Sequence, residues 1–335
     1  MIANYQPLMR RIVAAVILSV CATQVIANSA GVDPVQIDEF SETMAREHHF
    51  DRLAINNVLR LAVRLDSVLA AISKPAEHMP WHQYRKIFLT PARIEAGGKF
   101  WRTHAAALSA AEAQFGVPPE YIVAIIGVET FYGRNVGNYR VLDALATLAF
   151  HFPKRAAFFR EELVNYLLLA REEEIDPIRP RGSYAGAMGI PQFMPSSFRH
   201  YAVDFDHDNH RDVWQDPADA IGSVGNYLAR HGWRAAQAVA LPGAESVVNA
   251  AHASESVALN TTVAELVAAG IQAPGATDPT ARAVLLRFEG TAGDEYWLGL
   301  NNFYVITRYN RSPKYARAVT ELASALRAAN PQVTP

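Results

Sequence analysis

Hydrophobic residues recur at helical spacing over most of this chain. Between residues 36 and 72, apolar residues such as Ile37, Phe40 and Met44 fall near a period of 3.6 residues, which predicts helix. The same pattern predicts helices over 91–115, 141–150, 155–173, 196–202, 217–231 and 301–329. Gly116 and Gly232 follow two of these segments, as glycine often follows the last residue of a helix. The pattern therefore indicates a mainly α fold.

The pattern changes beyond about residue 233. Three short β-prone pieces, at 238–241, 256–259 and 284–288, alternate with turn residues and one short helix near 262–269. This mixture predicts a small α+β insert. With 335 residues the chain is long enough for two or three domains. We expect an N-terminal helical domain at 31–116, a core at 117–233, the insert at 234–298 and a C-terminal helical segment at 299–335.

The N-terminus has the pattern of an export signal. Arg10 and Arg11 precede the apolar run 12–20, and small residues including Ala27 and Ala30 follow. A charged start, a short apolar run and a small-residue end are typical of a cleavable signal, here about 1–30. The run is too short to span a bilayer comfortably. We therefore expect a periplasmic protein after cleavage.

Cys21, the single cysteine of the chain, lies inside this signal. Lipid attachment to Cys21 is the alternative to ordinary cleavage, although Val20 is not the small residue that usually precedes a lipidated cysteine. With ordinary cleavage the mature chain has no disulfide and depends on core burial for its stability. The formal net charge is −2, with no basic bias that would indicate nucleic-acid binding.

The segment 119–135, PEYIVAIIGVETFYGRN, places one acid at the end of an apolar helix. Ile122, Ile125, Ile126 and Glu129 are spaced i, i+3, i+4 and i+7, so they share one face. Burial raises the pKa of a carboxyl group, and a glutamic acid that is protonated near neutral pH can act as a general acid. The alternative is a structural glutamate paired with Arg134 or Arg140.

A second catalytic carboxylate is not obvious from the sequence. Asp143 is the next acid after Glu129, but its place at the start of a helix favours a capping or structural role. Glycosidases commonly use two carboxylates, one of them a nucleophile or a base for water. If Glu129 works alone, the reaction must need no nucleophile from the enzyme.

An acidic loop at 204–219 has the spacing of a calcium-binding EF-hand. Aspartates occupy loop positions 1, 3, 5 and 9, and the residue at position 7 could offer its backbone carbonyl: Asp204, Asp206, Asp208, Asp212 and His210. Oxygen ligands at this spacing favour Ca²⁺. Two departures are Asn209 in place of glycine and Gln215 in place of the closing glutamate. A solvated acidic loop, or a transition metal at the histidines, is the alternative.

Several segments resemble the membrane-bound lytic transglycosylase B family of peptidoglycan-cleaving enzymes. They are GVETFYGRNVG at 127–137, VLDALATLAF at 141–150, GSYAGAMGIPQFMPS at 182–196, DAIGSV at 219–224 and NNFYVITRYN at 301–310. The resemblance covers nearly all of the mature chain, although 237–290 matches poorly. It implies a lysozyme-like catalytic core beside the N-terminal helical domain.

The resemblance also implies roles for individual residues. The glutamate of the family's E-T-x-[WY]-G-R motif is the catalytic acid and base, which corresponds to Glu129. An unusually long EF-hand-like loop of the family is closed by an aspartate, which corresponds to Asp219. Ser183 would bind the N-acetyl group of the sugar and Gln192 would line the cleft, while Tyr227, Tyr304 and Asn310 would contact sugar or position Glu129. A core position is the alternative for the two tyrosines. Separately from the resemblance, Arg155 could meet the peptide stem of the substrate or a carboxylate. Met188 and Phe193 would be walls of the cleft, or simply core residues.

The implied reaction cleaves the MurNAc-β-1,4-GlcNAc bond without water and leaves a 1,6-anhydro-MurNAc end. A muramidase that uses water on the same bond, and a non-catalytic peptidoglycan-binding protein, are the alternatives. We expect Ca²⁺ as a structural ion and no organic cofactor. The expected partners are peptidoglycan glycan strands, with cell-wall synthesis or division proteins as unidentified further candidates, and we expect a monomer.

Overall fold

The structure is a computed structural model that describes residues 31–73, 79–242, 252–273 and 278–331. The predicted signal at 1–30, with Cys21, lies outside these residues, as do parts of the predicted insert. The fold is mainly α, as predicted, with a small antiparallel sheet.

In the ranges 31–73 and 79–116 the structure contains six helices: α1 Pro34–His48, α2 Arg52–Arg60, α3 Asp66–Ile72, α4 Trp81–Phe88, α5 Pro91–Thr103 and α6 Ala105–Phe115. The prediction of one helix over 36–72 is wrong. His49 adopts a left-handed φ of 58° after α1, and the Asp51 carboxylate accepts a bond from Leu53 N at 2.8 Å to start α2. The predicted helix 91–115 is likewise divided, at His104, and α4 was not predicted.

The central helices match their predicted ranges to within a few residues: α7 Pro119–Thr130, α8 Val141–His151, α9 Ala156–Glu172, α10 Pro195–Tyr201 and α11 Pro217–Arg230. Gly116 (φ 68°) and Gly232 (φ 91°) follow α6 and α11 in left-handed conformations, as predicted. α7 packs against α5, α6 and α11, so it is buried on all sides.

Two small sheets accompany the helices in the part of the chain that the structure describes. β1 Tyr139–Arg140 pairs with β2 Arg181–Gly182, and a four-stranded antiparallel sheet has the order β3-β6-β5-β4, from β3 Ala240–Pro242, β4 Thr261–Thr262, β5 Arg282–Glu289 and β6 Asp294–Gly299. A short helix, α12 Val263–Ala268, follows β4 and confirms the helix predicted there. The predicted strand at 256–259 is wrong, because these residues form no strand, and β6 was not predicted.

β5 is buried on both faces, which explains its unbroken apolar run. Leu285 packs into a small cluster with α12, whereas Val284, Leu286 and Phe288 pack against the main core. The insert therefore has a small core of its own and shares a second face with the helices.

Two helices end the described chain, α13 Asn301–Tyr309 and α14 Pro313–Ala329. The predicted helical segment 301–329 is thus interrupted. The Asn310 side chain accepts a bond from Ser312 N at 3.0 Å in the connecting turn, and Pro313 begins α14. α14 packs along α7 and also contacts α4 and α5, so the end of the chain lies beside the Glu129 helix.

Candidate active site

Glu129 lies in the last turn of α7. Ile122, Ile125 and Ile126, which share its face, are fully buried, as the spacing predicts. The remaining faces of α7 are also buried, so the surroundings of Glu129 follow from the central position of the helix as much as from one apolar stripe. Glu129 itself retains partial access to solvent.

The helix ends abruptly after Thr130. Phe131, Tyr132 and Gly133 take left-handed φ values of 52°, 61° and 83°. Thr130 Oγ1 accepts a bond from Gly133 N at 3.0 Å and donates to Ile190 O at 2.9 Å. Left-handed backbone at non-glycine residues is costly and occurs preferentially at functional sites. The break places the Glu129 carboxylate at the edge of the core.

Glu129 accepts a hydrogen bond from Tyr315 of α14, with the phenolic oxygen 2.6 Å from Oε1. Burial raises the pKa of Glu129 to about 7, and the bond from Tyr315 acts in the opposite direction. The alternative partners do not pair with it: Arg134 lies over the Phe131 ring at 5.0 Å, and Arg140 binds Asp143. The salt-bridge interpretation of Glu129 therefore does not fit the structure.

Among the described residues, three tyrosines lie near the Glu129 carboxylate. Burial and, to a smaller extent, the charge of Glu129 raise the pKa of Tyr227, Tyr309 and Tyr315. Tyr227 donates to Arg308 O at 2.5 Å, and Tyr309 donates to Pro191 O at 2.6 Å. These two hydroxyls hold the backbone of the site, whereas the hydroxyl of Tyr315 is directed at the carboxylate.

Sequence reasoning named Tyr227 but missed Tyr309 and Tyr315. Tyr309 lies inside the motif at 301–310, so the motif could have indicated it. Tyr315 lies five residues beyond that motif in an ordinary amphipathic helix, and no spacing rule connects it with Glu129. Only the packing of α14 on α7 brings the two together.

The glycine-rich segment 182–196 forms tight turns. Ser183 Oγ accepts bonds from Ala185 N at 3.3 Å and Ala187 N at 3.0 Å. Gln192 adopts φ 53° and donates to Val136 O at 3.1 Å and Gly189 O at 2.8 Å. Each side chain thus holds its own loop and keeps further hydrogen-bonding capacity, because Ser183 can still donate and the Gln192 carbonyl oxygen can still accept.

Glycine is required at position 137, just before β1, where the chain passes close to the backbone of Gly182. A Cβ on Gly137 (φ 94°) would lie 2.1 Å from Gly182 O, which no side chain can accommodate. Met188 and Phe193, the expected walls, are buried at 0% and 2% exposure and belong to the core. The Phe193 ring packs against the Tyr227 ring, tilted by 38° with the ring centres 5.6 Å apart, and so supports the tyrosine group.

The remaining predicted substrate contacts are less closely connected with Glu129. The Arg308 guanidinium lies 4.5 Å from the centre of the Tyr304 ring on α13, and Asn310 holds the turn before α14. Arg155 is exposed at the start of α9, 4.4 Å from the Phe158 ring. Its described contacts are with phenylalanines of α9 and not with the tyrosine group.

Asp143 has a structural role. It is 5% exposed and accepts two bonds from Arg140, each at 2.7 Å, and one from Val63 N at 3.0 Å. Arg140 also donates to Leu61 O at 3.0 Å. The pair therefore fixes the segment between α2 and α3 to the start of α8, which agrees with the structural interpretation of Asp143.

The acidic loop brings together Asp204, Asp206 and Asp219, three of the residues that the sequence analysis named as candidate ligands. One carboxylate oxygen from each of Asp204, Asp206 and Asp219 lies within 4.8 Å of the others. Asp219 is 1% exposed and accepts bonds from Phe205 N at 2.6 Å and Asp212 N at 2.7 Å. The carboxylate of Asp208 instead accepts a bond from His210 N at 2.8 Å.

The loop fits a hard cation. Asn209 adopts φ 75°, the conformation for which an EF-hand uses glycine. Burial raises the pKa of Asp219 to about 6, and the nearby Asp216 and Asp206 carboxylates raise it further. Converging oxygen ligands that repel one another when ionised are the donor set that Ca²⁺ prefers.

A surface cavity of about 840 Å³ lies between residues 173–181 and 210–215. It is lined by His210, Trp214 and charged side chains, among them Arg179 and Glu174. Its lining includes neither Glu129 nor any of the three tyrosines around it. The cavity adjoins the acidic loop and is separate from the Glu129 group.

Within the described residues, none of the helices is both long and apolar enough to cross a membrane.

Residues 34–324 match the family model described as Transglycosylase SLT domain. The chain is 44% identical over 307 residues to the Membrane-bound lytic murein transglycosylase B of Escherichia coli (strain K12), covering 88% of this chain and 83% of that protein. The crystal structure of the soluble lytic transglycosylase SltB1 from Pseudomonas aeruginosa is 49% identical, with a TM-score of 0.85 over 88% of this chain and 99% of that one.

Two further solved structures contain ligands. The Escherichia coli lytic transglycosylase Slt35 in complex with calcium is 44% identical, with a TM-score of 0.83 over 90% of this chain and 95% of that one. SltB3 from Pseudomonas aeruginosa in complex with NAG-anhNAM-pentapeptide is 30% identical, with a TM-score of 0.78 over 89% of this chain and 80% of that one. The resemblance in the sequence motifs is confirmed, and this chain belongs to the Transglycosylase SLT domain family, the family of the lytic murein transglycosylases.

Proposed function

We propose that this enzyme cleaves the MurNAc-β-1,4-GlcNAc bond of peptidoglycan without water and leaves a 1,6-anhydro-MurNAc end, with Glu129 as the single acid and base. The observation that carries this proposal is the Glu129 carboxyl group itself. Its pKa is raised to about 7 by burial, and its hydrogen-bond partner is a neutral tyrosine rather than a cation. A group with this pKa can give and take a proton near neutral pH.

The two steps use Glu129 in opposite protonation states. The carboxylic acid first protonates the oxygen of the leaving sugar, and the substrate N-acetyl group assists at the anomeric carbon. The carboxylate then removes the proton from the C6 hydroxyl of MurNAc, which attacks C1 and closes the anhydro ring. Intramolecular attack has a high effective concentration, so a second catalytic carboxylate is not needed.

The tyrosine bond supports the second step. Tyr315 donates to Glu129 and so favours the ionised carboxylate that must act as the base. Asp143 is not available as a nucleophile, because both of its carboxylate oxygens are bound by Arg140. The complex of SltB3 with NAG-anhNAM-pentapeptide, a ligand with an anhydro sugar, supports the same kind of product here.

Substrate binding is assigned to the predicted side chains around this carboxyl group. Ser183 and Gln192 would donate to and accept from the sugar amide with the hydrogen-bonding capacity that their loops leave free. Tyr227, Tyr304 and Asn310 would line the cleft near the tyrosine group. Arg155, which is exposed, would meet the peptide stem at a greater distance.

Calcium is assigned to the acidic loop as a structural ion. Asp204, Asp206 and Asp219 would hold it, with Asp208 and the carbonyl of His210 completing the set. The calcium complex of Slt35, at 44% identity, supports this assignment. The ion would neutralise the converging carboxylates and hold the loop between α10 and α11.

We propose the location, partners and domain boundaries that the sequence predicts. The curated relative is membrane-bound by name, and the N-terminal pattern of this chain favours a signal over 1–30 with a periplasmic product, or lipid attachment at Cys21. The working partner would be the peptidoglycan glycan strand. The divisions at 31–116, 117–233, 234–298 and 299–335 remain our proposed domain boundaries.

The mass of the products tests the reaction. Purified protein incubated with peptidoglycan sacculi should release muropeptides with anhydro ends, each lighter by one water than a hydrolytic product. Glu129→Gln should abolish release. It should also unfold at the same or a higher temperature than wild type above pH 7, because the raised pKa means that ionising Glu129 costs stability in the folded state. Release of reducing ends alone would instead identify a muramidase.

A further inference from the structure

Arg317 of α14 is an arginine enclosed by aromatic rings. It is 3% exposed, and its guanidinium carbon lies 4.3 Å from the centre of a Trp81 ring, 4.7 Å from Phe288 and 4.7 Å from Trp297. Cation–π contacts gain strength when they are removed from water. Nη1 of Arg317 is buried and has no hydrogen-bond partner within the described residues. On that side the guanidinium is therefore held by contact with the aromatic rings.

Two carboxylates bind the rest of the guanidinium. Arg317 donates to Glu321 Oε1 at 2.9 Å and to Glu295. Glu321 in turn accepts from Arg85 at 2.8 Å, so two positive and two negative side chains form one connected, neutral group. Removing one member of such a group leaves a partner charge less well compensated, which destabilises the arrangement.

This group joins three parts of the chain. Trp81 and Arg85 come from α4, Arg317 and Glu321 from α14, and Phe288, Glu295 and Trp297 from β5 and β6 of the insert. Trp81 also packs edge-on against Phe288 at 5.8 Å. The insert had no assigned role in the sequence, and here it supplies two rings and one carboxylate to a single side chain of α14.

Arg317 lies two residues after Tyr315 on the same helix. Two helical residues are turned by about 200° from each other, so the two side chains leave α14 on nearly opposite sides. Tyr315 reaches Glu129 on one side, and Arg317 is bound to α4 and the insert on the other. A helix held at Arg317 cannot rotate or shift without moving the Tyr315 hydroxyl.

We propose that Arg317 is a positioning residue that fixes α14, and with it the Tyr315 hydroxyl, against Glu129, and that the α+β insert serves the active site by supplying Phe288, Trp297 and Glu295 to this arginine. The inference rests on the proposed function of Glu129. It does not place Arg317 in contact with substrate.

A double-mutant cycle tests whether Arg317 acts through Tyr315. The variants are Arg317→Met, Tyr315→Phe and the double variant, measured for kcat, KM and the alkaline limb of the pH profile on a soluble peptidoglycan fragment. Methionine fills much of the same apolar space. It leaves Glu321 paired with Arg85, and the Glu295 side chain is partly exposed to water, so we expect Arg317→Met to fold with reduced stability. The titratable groups described near Glu129 are Tyr227, Tyr309 and Tyr315, and burial raises the pKa of each above the usual tyrosine value. An alkaline limb near neutral pH therefore reports the Glu129 carboxyl group.

We expect Arg317→Met to lower kcat about tenfold with little change in KM, within the range of coupling between residues in one network. Its alkaline limb should move to higher pH, in the direction of Tyr315→Phe, because the bond that favours the carboxylate is weakened. The double variant should resemble Tyr315→Phe alone. A purely structural arginine would lower the unfolding temperature and leave the pH limb in place.

Glu295→Gln on β6 tests the contribution of the insert and should give a smaller change of the same kind. Arg287→Met is the matched control, since Arg287 lies on the same sheet and pairs with Asp294 at 3.5 Å, with no described side-chain bond to α14. The proposal is wrong if Arg317→Met keeps the kcat and the alkaline limb of wild type. It is also wrong if the losses of kcat in the two single variants add up in the double variant. If Arg317→Met does not fold, a double-mutant cycle of Glu295→Gln with Tyr315→Phe tests the proposal instead.

Product mass separates this inference from the proposed function. If wild type and variants all give reducing ends, the proposed reaction is wrong, while the cycle still decides whether Arg317 positions Tyr315.

Discussion

The hydroxyl of Tyr315 lies 2.6 Å from Oε1 of Glu129, although 186 residues separate them in the sequence. Two opposing effects meet at this contact. Burial disfavours the charged carboxylate and raises its pKa, whereas the tyrosine donates to it and limits the rise, leaving a pKa of about 7. A carboxyl group balanced in this way is suited to a reaction in which it first gives and then takes a proton.

Tyr315→Phe should move the alkaline limb of kcat to higher pH. The substitution removes the donor that favours the carboxylate, so the pKa of Glu129 rises further above 7. Hydrogen bonds to charged groups contribute about 1.5–3 kcal/mol, and one pKa unit is about 1.4 kcal/mol, so we expect a shift of about one to two units. A pH–rate profile on a soluble peptidoglycan fragment measures it.

Tyr166→Phe is the matched control for this shift. Tyr166 is fully buried and donates to Pro177 O at 2.6 Å, with no described contact to Glu129. Its loss should lower the unfolding temperature without moving the limb. An unchanged limb in Tyr315→Phe would show that the tyrosine bond does not set the pKa of Glu129.

Sequence periodicity predicted the elements that are long and regularly amphipathic, such as α9 and α11. It failed where a local signal interrupts a sustained pattern. The Asp51 cap and the left-handed His49 divide the predicted helix 36–72, and β6 was missed because DEYWLG lacks a clear alternation of polar and apolar residues. These breaks depend on backbone conformation at single residues, which a window of apolar positions does not resolve.

The site was predictable as far as its motifs extend. Glu129 could be named from spacing and resemblance, and the acidic loop from its aspartates. Tyr315 and Arg317 could not, because each acts through a partner distant in sequence: Glu129 for one, and the rings of α4 and the insert for the other. Contacts of that kind appear only when helices pack.

Asp143→Asn tests the single-carboxylate mechanism. Arg140 binds both carboxylate oxygens of Asp143, and the pair is largely buried, so its loss should lower stability by about 3 kcal/mol. Turnover below the unfolding temperature should stay within about twofold of wild type, since general acid–base roles are worth at least 100-fold. A loss of several hundredfold in a folded Asp143→Asn protein would contradict the proposed mechanism.

Ser183 carries two roles that substitutions can separate. Its Oγ accepts bonds from Ala185 N and Ala187 N, so Ser183→Ala should lower stability by about 1 kcal/mol through loss of side-chain bonds to the backbone. It should also raise KM if the hydroxyl donates to the sugar amide. Thermal unfolding and steady-state kinetics measure the two effects.

Ser183→Asp distinguishes the loop from the substrate. An aspartate can accept the same two backbone bonds, so it should restore much of the unfolding temperature. As an ionised acceptor it cannot donate to the sugar, so KM should stay high. Recovery of both stability and KM in Ser183→Asp would assign Ser183 to the loop alone.

Calcium should stabilise the protein through the acidic loop. A ligand at 100 times its Kd that binds only the folded state adds about 2.7 kcal/mol, which corresponds to several degrees for a protein of this size. Unfolding in calcium and in chelator measures the difference. Asp204→Ala and Asp208→Ala should each reduce the stabilisation by calcium. Asp176 is an acid of the adjoining cavity that pairs with Arg179, so Asp176→Ala should leave the stabilisation intact. Calcium-dependent stabilisation that survives both loop substitutions would place the ion elsewhere.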